Sequence, residues 1–273
     1  MAEKDYECIL FDVTDGVGRI TLNLPQFGNA LTVAGVQEFL HALNACEARD
    51  DVGAVLITGA GKAFCAGFNL KEIPLDSTDT EAVAEHFGVA AMWWHQAMHK
   101  MVRIERPVLT AVNGVAAGVG LGMALCSDMV ICHENARFLC AWHSIGLAND
   151  ATTSYSLTKV VGWRRAFELM MTNKTLSADE AVEWGIANRA YGDADFARNV
   201  DQVARDLAAG PTHLQAMARD SFHNGWRRSV EEATEYEIQN VMKSVRHSYF
   251  REAVDKFIKG EIKADIPQVR LPD

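Results

Sequence analysis

The sequence has no long apolar run, no excess of basic residues and no paired cysteine motif. No stretch approaches the roughly 20 apolar residues that a membrane-spanning helix needs. Residues 1–8 also lack the apolar core of a signal peptide. The formal net charge is −10, which disfavours nucleic acid or an anionic membrane as the main partner, because both attract Lys and Arg. We therefore expect a cytoplasmic protein with neither a nucleic-acid partner nor a membrane partner.

Motifs for metals and nucleotide cofactors are also missing. The six cysteines form neither a Cys-x-x-Cys pair nor a Cys/His spacing typical of zinc ligands, so we interpret them as small buried residues in a reducing compartment. Residues 59–62 lack the spacing and the Ser or Thr of a phosphate-binding loop. Met123 stands where a dinucleotide fingerprint beginning at Gly118 would need its third glycine. We expect no metal and no redox cofactor.

The apolar residues are patterned as strands that alternate with helices. The chain has 273 residues, 49% of them hydrophobic, which is enough for one large core. Asp15-Gly16 separates two β-rich runs and predicts a hairpin. Continuous apolar strands at residues 52–58 and 108–112 alternate with helical patterns at residues 32–48 and 80–103, which is typical of a largely parallel sheet covered by helices. We predict an α/β catalytic core over residues 1–205.

The rest of the chain has a helical pattern. Apolar spacing runs through residues 230–245 and 249–258, and Ser229-x-x-Glu232 is a capping-box signature at the start of the first of these. We predict that residues 206–273 form a helical segment that packs on the core or on a neighbouring subunit.

Two glycine-bearing loops follow predicted strands, at residues 63–68 and 113–120. If adjacent strands bring both loops to one sheet edge, a backbone N–H from each can point at one oxygen atom. The second N–H would lie at the start of a helix over residues 119–126, where unpaired N–H groups and the helix dipole favour negative charge. This pattern predicts an oxyanion hole. The alternative is that these glycines only permit tight turns.

The segments AFCAGFNLKEI (residues 63–73) and AVNGVAAGVGLGMALCSDMVIC (residues 111–132) resemble the two signature loops of the crotonase (enoyl-CoA hydratase/isomerase) family, and the similarity extends over nearly the whole chain. The resemblance implies a crotonase-like ββα spiral core, a helical C-terminal oligomerisation segment, and a homotrimer or dimer of trimers. It also implies an acyl-CoA thioester whose carbonyl lies between the N–H groups of Phe68 and Val119, beside Gly67, Gly118 and Gly120. The family usually has a third glycine where this chain has Val119.

The side chains decide the reaction, because one fold hosts many chemistries. Hydratases of the family carry glutamates at the positions of Gly122 and Trp142, so water addition lacks its usual acid and base here. The segments AAMWWHQ (residues 90–96) and CAWHSIGLAND (residues 140–150) instead resemble those of the family's aryl-CoA dehalogenases. That implies 4-chlorobenzoyl-CoA or a related aryl-CoA thioester as substrate. Asp150 is the expected covalent nucleophile, oriented by the Trp142 indole N–H, and His95 is the expected base that hydrolyses the aryl ester.

The expected substrate pocket has aromatic walls and a clamp for coenzyme A. Its predicted walls are Phe68, Phe87, Trp94 and Trp142, although any single aromatic is more often plain core. The resemblance implies a backbone clamp from Gly67 to Leu70, with Lys71 as a contact for phosphate. Four C-terminal cations are further candidates, or simply a solvated helix face: Arg246, Arg251, Lys256 and Lys259. Another crotonase-type hydratase, isomerase or thioester hydrolase is the alternative function, and a catalytically idle acyl-CoA-binding protein is a third.

Overall fold

The computed structural model describes residues 5–74, 76–262 and 269–272. Residues 1–4 and 273, which begin the predicted core and end the predicted helical segment, lie outside these ranges. The described strands are β1 Ile9–Thr14, β2 Val17–Leu22, β3 Ala54–Gly59, β4 Val108–Val112, β5 Val115–Ala117, β6 Met129–His133, β7 Arg137–Leu139, β8 Leu176–Ser177 and β9 Arg189–Tyr191. The described α-helices are α1 Val33–Ala48, α2 Thr80–Arg103, α3 Val119–Leu125, α4 Thr153–Val161, α5 Trp163–Thr172, α6 Ala178–Glu183, α7 Phe196–Ala208, α8 Thr212–Gly225, α9 Val230–Arg246 and α10 Ser248–Ile258.

The main sheet is mostly parallel. Its strand order is β1-β2-β3-β4-β6-β9, and β5, β7 and β8 form a second, three-stranded sheet. β1 and β2 are antiparallel and joined at Asp15 and Gly16, whose φ angles are 53° and 75°. The next four pairings in the main sheet are parallel. The predicted hairpin and the predicted α/β class are therefore confirmed.

The main sheet is covered on both faces, because alternate side chains of each strand point to opposite sides. On β3, Val55 and Ile57 join the core that includes α1, α2 and α3, while Leu56 joins a smaller core on the other face. That smaller core is completed by buried side chains of α7, among them Val203 and Leu207. Helix α7 packs on the sheet over its whole length. The predicted core boundary, residue 205, therefore lies inside this helix. The helical segment beyond the core starts with α8.

The C-terminal helices contact the core through a buried arginine. Arg219 of α8 donates to Asp128 Oδ2 at 2.6 Å and to Met101 O at 2.8 Å. Ser229 begins α9 with the predicted capping box, whereas α10 has no buried residue. Within the described ranges, no helix is both long and apolar enough to span a bilayer.

Candidate active site

The two predicted loops lie side by side at the carboxyl ends of β3 and β4. Cys65 N–H donates to Val115 O, and Ala117 N–H donates back to Cys65 O, each at 2.9 Å. A Cβ atom placed on Gly67 would lie 4.0 Å from the backbone nitrogen of Val119. Adjacent parallel strands thus bring both loops to one edge of the sheet.

Two backbone N–H groups at this edge have no acceptor among the described residues. Phe68 forms a bridge with Leu31, but the bonds of that bridge use Gly67 O and Asn69 N, so they leave the Phe68 N–H free. Val119 is the first residue of α3, where an N–H group has no partner within the helix. Gly118 precedes it with φ 52° and ψ −117°, a conformation that side chains disfavour. Both N–H groups are available to a carbonyl oxygen.

Three predicted aromatic residues cluster beside these loops. The ring centroid of Phe68 lies 5.1 Å from that of Trp94 and 5.6 Å from that of Phe87, and Phe87 and Trp94 are 5.8 Å apart. Buried Trp142 lies close to the second loop, since a Cβ on Gly118 would be 4.0 Å from Trp142 Cε2. Phe68, Phe87 and Trp94 thus form one aromatic cluster at the first loop, and Trp142 lies beside the second loop.

The carboxylate of Asp150 bonds to two consecutive residues of α2. Trp94 donates its indole N–H to Oδ2 at 3.1 Å, and His95 Nε2 lies 2.5 Å from Oδ1. The Asp150 side chain is 20% exposed and that of His95 is 39% exposed, so water reaches both groups. A carboxylate fixed in this way, with an imidazole beside it, suits covalent catalysis followed by base-assisted hydrolysis.

The segment that carries Asp150 has an unusual backbone. It begins at Ala141, with φ 66°, and runs through a short 3₁₀ helix, Trp142–Ile145. Immediately after Asp150, Ala151 and Thr152 have φ angles of 54° and 62°. Such angles are uncommon for residues other than glycine and concentrate at functional sites.

Comparison with known proteins shows the family of the chain. Residues 12–262 match the family described as enoyl-CoA hydratase/isomerase. The chain belongs to this family. It is 44% identical to 4-chlorobenzoyl coenzyme A dehalogenase-2 of Arthrobacter sp, over 99% of this chain and 98% of that protein. It is 31% identical to 1,2-epoxyphenylacetyl-CoA isomerase of Escherichia coli (strain K12), over 92% and 95% of the two chains. The crystal structure of an enoyl-CoA hydratase from Polaromonas sp. JS666 superposes with a TM-score of 0.86 at 26% identity, covering 97% and 98%. The predicted crotonase-type fold is therefore confirmed.

In this member of the enoyl-CoA hydratase/isomerase family, the hydrogen bond to Asp150 comes from a tryptophan other than the predicted one. The sequence suggested Trp142, whereas the donor is Trp94. Trp94 and His95 are consecutive helical residues, and each of them bonds to a different oxygen atom of the Asp150 carboxylate. A buried indole N–H usually has a hydrogen-bond acceptor. That rule applies to every buried tryptophan, so the sequence could not show which one lies next to Asp150.

The residues expected to bind coenzyme A lie at the rim of the first loop or in the helical tail. Leu70 and Lys71 belong to a short 3₁₀ helix, Leu70–Glu72, and both are exposed, with Lys71 Nζ 5.3 Å from the centroid of the Phe27 ring. The four tail cations are exposed on α9, on α10 or next to its end: Arg246, Arg251, Lys256 and Lys259. In the described part of the chain, no hydrogen bond or ion pair joins these four to the loops.

The first loop itself contains a buried thiol, which is not in the reactive form. Burial raises the pKa of Cys65 to about 12, and its Sγ lies 3.7 Å from Gly67 O. Since the thiolate is the reactive form of cysteine, this thiol is a poor nucleophile at neutral pH.

Proposed function

We propose that this protein hydrolyses the carbon–chlorine bond of 4-chlorobenzoyl-CoA, giving 4-hydroxybenzoyl-CoA and chloride. The observation that carries the proposal is the Asp150 carboxylate, which bonds to His95 and Trp94 while the Trp94 ring contacts Phe68. A nucleophile and a base thus lie next to an aromatic cluster that adjoins two free N–H groups. The 44% identity to a protein named as a 4-chlorobenzoyl coenzyme A dehalogenase supports the same substrate.

The first step is aromatic substitution. The N–H groups of Phe68 and Val119 bind the thioester oxygen and stabilise the negative charge that develops there when the ring is attacked. One Asp150 oxygen bonds to the ring carbon that bears chlorine, and the electron pair spreads through the ring to the para carbonyl. The ring becomes aromatic again as chloride leaves with the electrons of the C–Cl bond. An aryl ester of Asp150 remains.

The second step hydrolyses that ester. In the free protein His95 Nε2 faces the Asp150 carboxylate and donates to it. In the ester that negative charge is gone, so the imidazole can carry its proton on Nδ1 and present a lone pair at Nε2. Water then attacks the acyl carbon of Asp150, and His95 takes the water proton at Nε2. The bond between this acyl carbon and the aryl oxygen breaks, the departing phenolate takes up the proton held by His95, and the Asp150 carboxyl group releases its remaining proton to solvent. The phenolic product therefore carries an oxygen from Asp150, and the water oxygen stays in the carboxylate. The reaction has no net transfer of electrons to an external acceptor, so it needs no redox cofactor, and neither step above uses a metal. Coenzyme A is part of the substrate.

We also infer a homotrimer, or a dimer of trimers, and a cytoplasmic location. The C-terminal helices expose large apolar side chains, including Phe222, Trp226, Ile238, Phe257 and Ile258. Exposed apolar patches of this kind favour association. The six cysteines are free, as a reducing compartment requires. Light scattering should report three or six chains, and a stable monomer in solution would contradict the assembly.

Incubation with 4-chlorobenzoyl-CoA tests the reaction. We expect one chloride and one 4-hydroxybenzoyl-CoA per substrate consumed, with the thioester intact, and no turnover by Asp150→Asn. Crotonyl-CoA is the parallel substrate for hydration, and release of free coenzyme A reports thioester hydrolysis. No chloride at any protein concentration, or turnover of crotonyl-CoA alone, would reject the proposal. Tight binding of the aryl thioester without turnover would instead identify an idle acyl-CoA-binding protein.

A further inference from the structure

Gly122 lies one turn into α3, the helix whose first N–H group belongs to Val119. Its own N–H donates to Gly118 O at 3.0 Å and closes the first turn of the helix. All residues of α3 are buried. Since Val119 and Gly122 are three residues apart, they lie on the same face of the helix.

This glycine lets the nucleophile segment approach α3 more closely than any other residue would. A Cβ atom on Gly122 would lie 2.5 Å from Ala151 O and 2.7 Å from Ala151 Cβ, whereas ordinary van der Waals contact begins at 3.4 Å. It would also lie 3.0 Å from Met98 Cε, the end of a flexible side chain that can move aside. Ala151 cannot give way so easily, because the conflict involves its backbone and it follows Asp150 directly.

The backbone carbonyl of Asp150 accepts two hydrogen bonds from one residue, and Thr152 contacts the end of α3. Thr153 donates to Asp150 O through its N–H at 3.1 Å and through its Oγ1 at 2.6 Å. Thr152 Oγ1 lies 3.2 Å from Sγ of Cys126, the residue that caps the C-terminal end of α3. The same helix therefore supplies the Val119 N–H at one end and contacts the nucleophile segment at two further points.

We infer that Gly122 is a positioning residue, whose missing side chain sets the place of Asp150 relative to the N–H groups that bind the thioester carbonyl. The inference rests on the proposed function. It adds that α3 fixes both the carbonyl-binding end and the nucleophile end of the site. A side chain at position 122 would move Asp150 without removing any group that contacts the substrate.

Gly122→Ala is the direct test. Ala151 must then move by roughly 1 Å, and a displacement of that size at a reacting group lowers a rate by about 100-fold. In single turnovers we expect chloride release and ester formation to slow by about 100-fold, while the Kd of 4-hydroxybenzoyl-CoA changes by less than about threefold. The carbonyl stretching frequency of the bound product, which falls when hydrogen bonds polarise that carbonyl, should match the frequency measured with the unsubstituted protein.

Two further variants separate positioning from general damage. Gly225→Ala makes the same change where a Cβ atom would meet nothing within 4 Å, so its rate should not change. The double variant Gly122→Ala, Ala151→Gly lacks the Ala151 Cβ, one of the two Ala151 atoms that the new side chain would meet. Glycine also tolerates the positive φ of residue 151. The rate of this variant should therefore lie between those of Gly122→Ala and the unsubstituted protein. If Gly122→Ala does not fold, this double variant is compared with the unsubstituted protein alone, and slower ester formation with unchanged product binding is expected.

Unchanged ester formation in the folded Gly122 variants would overturn the inference, as would a loss of product binding as large as the loss of rate. Failure of the unsubstituted protein to release chloride would instead reject the proposed function, so the two failures are distinguishable.

Discussion

Replacing His95 with glutamine should stop the reaction at the covalent ester. In the free protein His95 Nε2 lies 2.5 Å from Asp150 Oδ1. A glutamine amide can still donate a hydrogen bond to that oxygen, but it cannot accept a proton from water. The first step should therefore change little. The second should lose the contribution of a general base, about 10²- to 10⁴-fold, which corresponds to roughly 3–5.5 kcal/mol of barrier.

Rapid-quench kinetics with excess 4-chlorobenzoyl-CoA measures both steps. We expect a burst of about one chloride per active site, then turnover slowed by at least about 100-fold. Mass spectrometry should locate the aryl-CoA adduct on the peptide that contains Asp150. His99→Gln is the matched control, because His99 lies one turn further along the same helix and no described hydrogen bond joins it to Asp150. Slow turnover without the burst or the adduct would refute the assignment of His95 as the base.

The remaining predictions concern the indole donor, the buried thiol and the buried arginine. Trp94→Phe removes the 3.1 Å hydrogen bond to Asp150. Ester formation in single turnovers should therefore slow by about 10- to 100-fold. A larger loss of rate in Trp142→Phe would mean that Trp142 orients Asp150 in the substrate complex. Iodoacetamide at pH 8 should spare Cys65 in the folded protein, because its raised pKa of about 12 leaves almost no thiolate until the pH is several units higher; peptide mapping that finds rapid alkylation there would contradict this. Arg219→Met removes the arginine that pairs with the partly buried Asp128 carboxylate. The free energy of urea unfolding should fall by about 3 kcal/mol. Arg227 is exposed, so Arg227→Met should leave the free energy of unfolding unchanged.

Local patterns in the sequence predicted the secondary structure closely. Helix α2 was expected at residues 80–103 and occupies the same residues, because Asp79 caps its first turn and Pro107 follows shortly after its end. β3 begins at Ala54, two residues later than expected. Residue 205, where the sequence was divided into a core and a helical segment, lies inside α7, which runs from Phe196 to Ala208.

Side-chain pairing in the site was harder to predict. The proximity of the two glycine-bearing loops was predictable because each follows a strand, and parallel strands place such loops at one edge. The bond between Trp94 and Asp150 joins residues 56 positions apart in the sequence, so it depends on how α2 packs against the segment after β7. The contact between Gly122 and Ala151 was equally hidden, because a missing side chain leaves no pattern.

The most direct test of the account is a single turnover in ¹⁸O-labelled water, with the protein in excess over 4-chlorobenzoyl-CoA. If Asp150 bonds to the ring, the 4-hydroxybenzoyl-CoA formed in this first turnover should carry unlabelled oxygen, and the label should appear in the Asp150 carboxylate. Labelled oxygen in the first-turnover product, with none in Asp150, would show that water attacks the ring directly and would contradict the covalent mechanism.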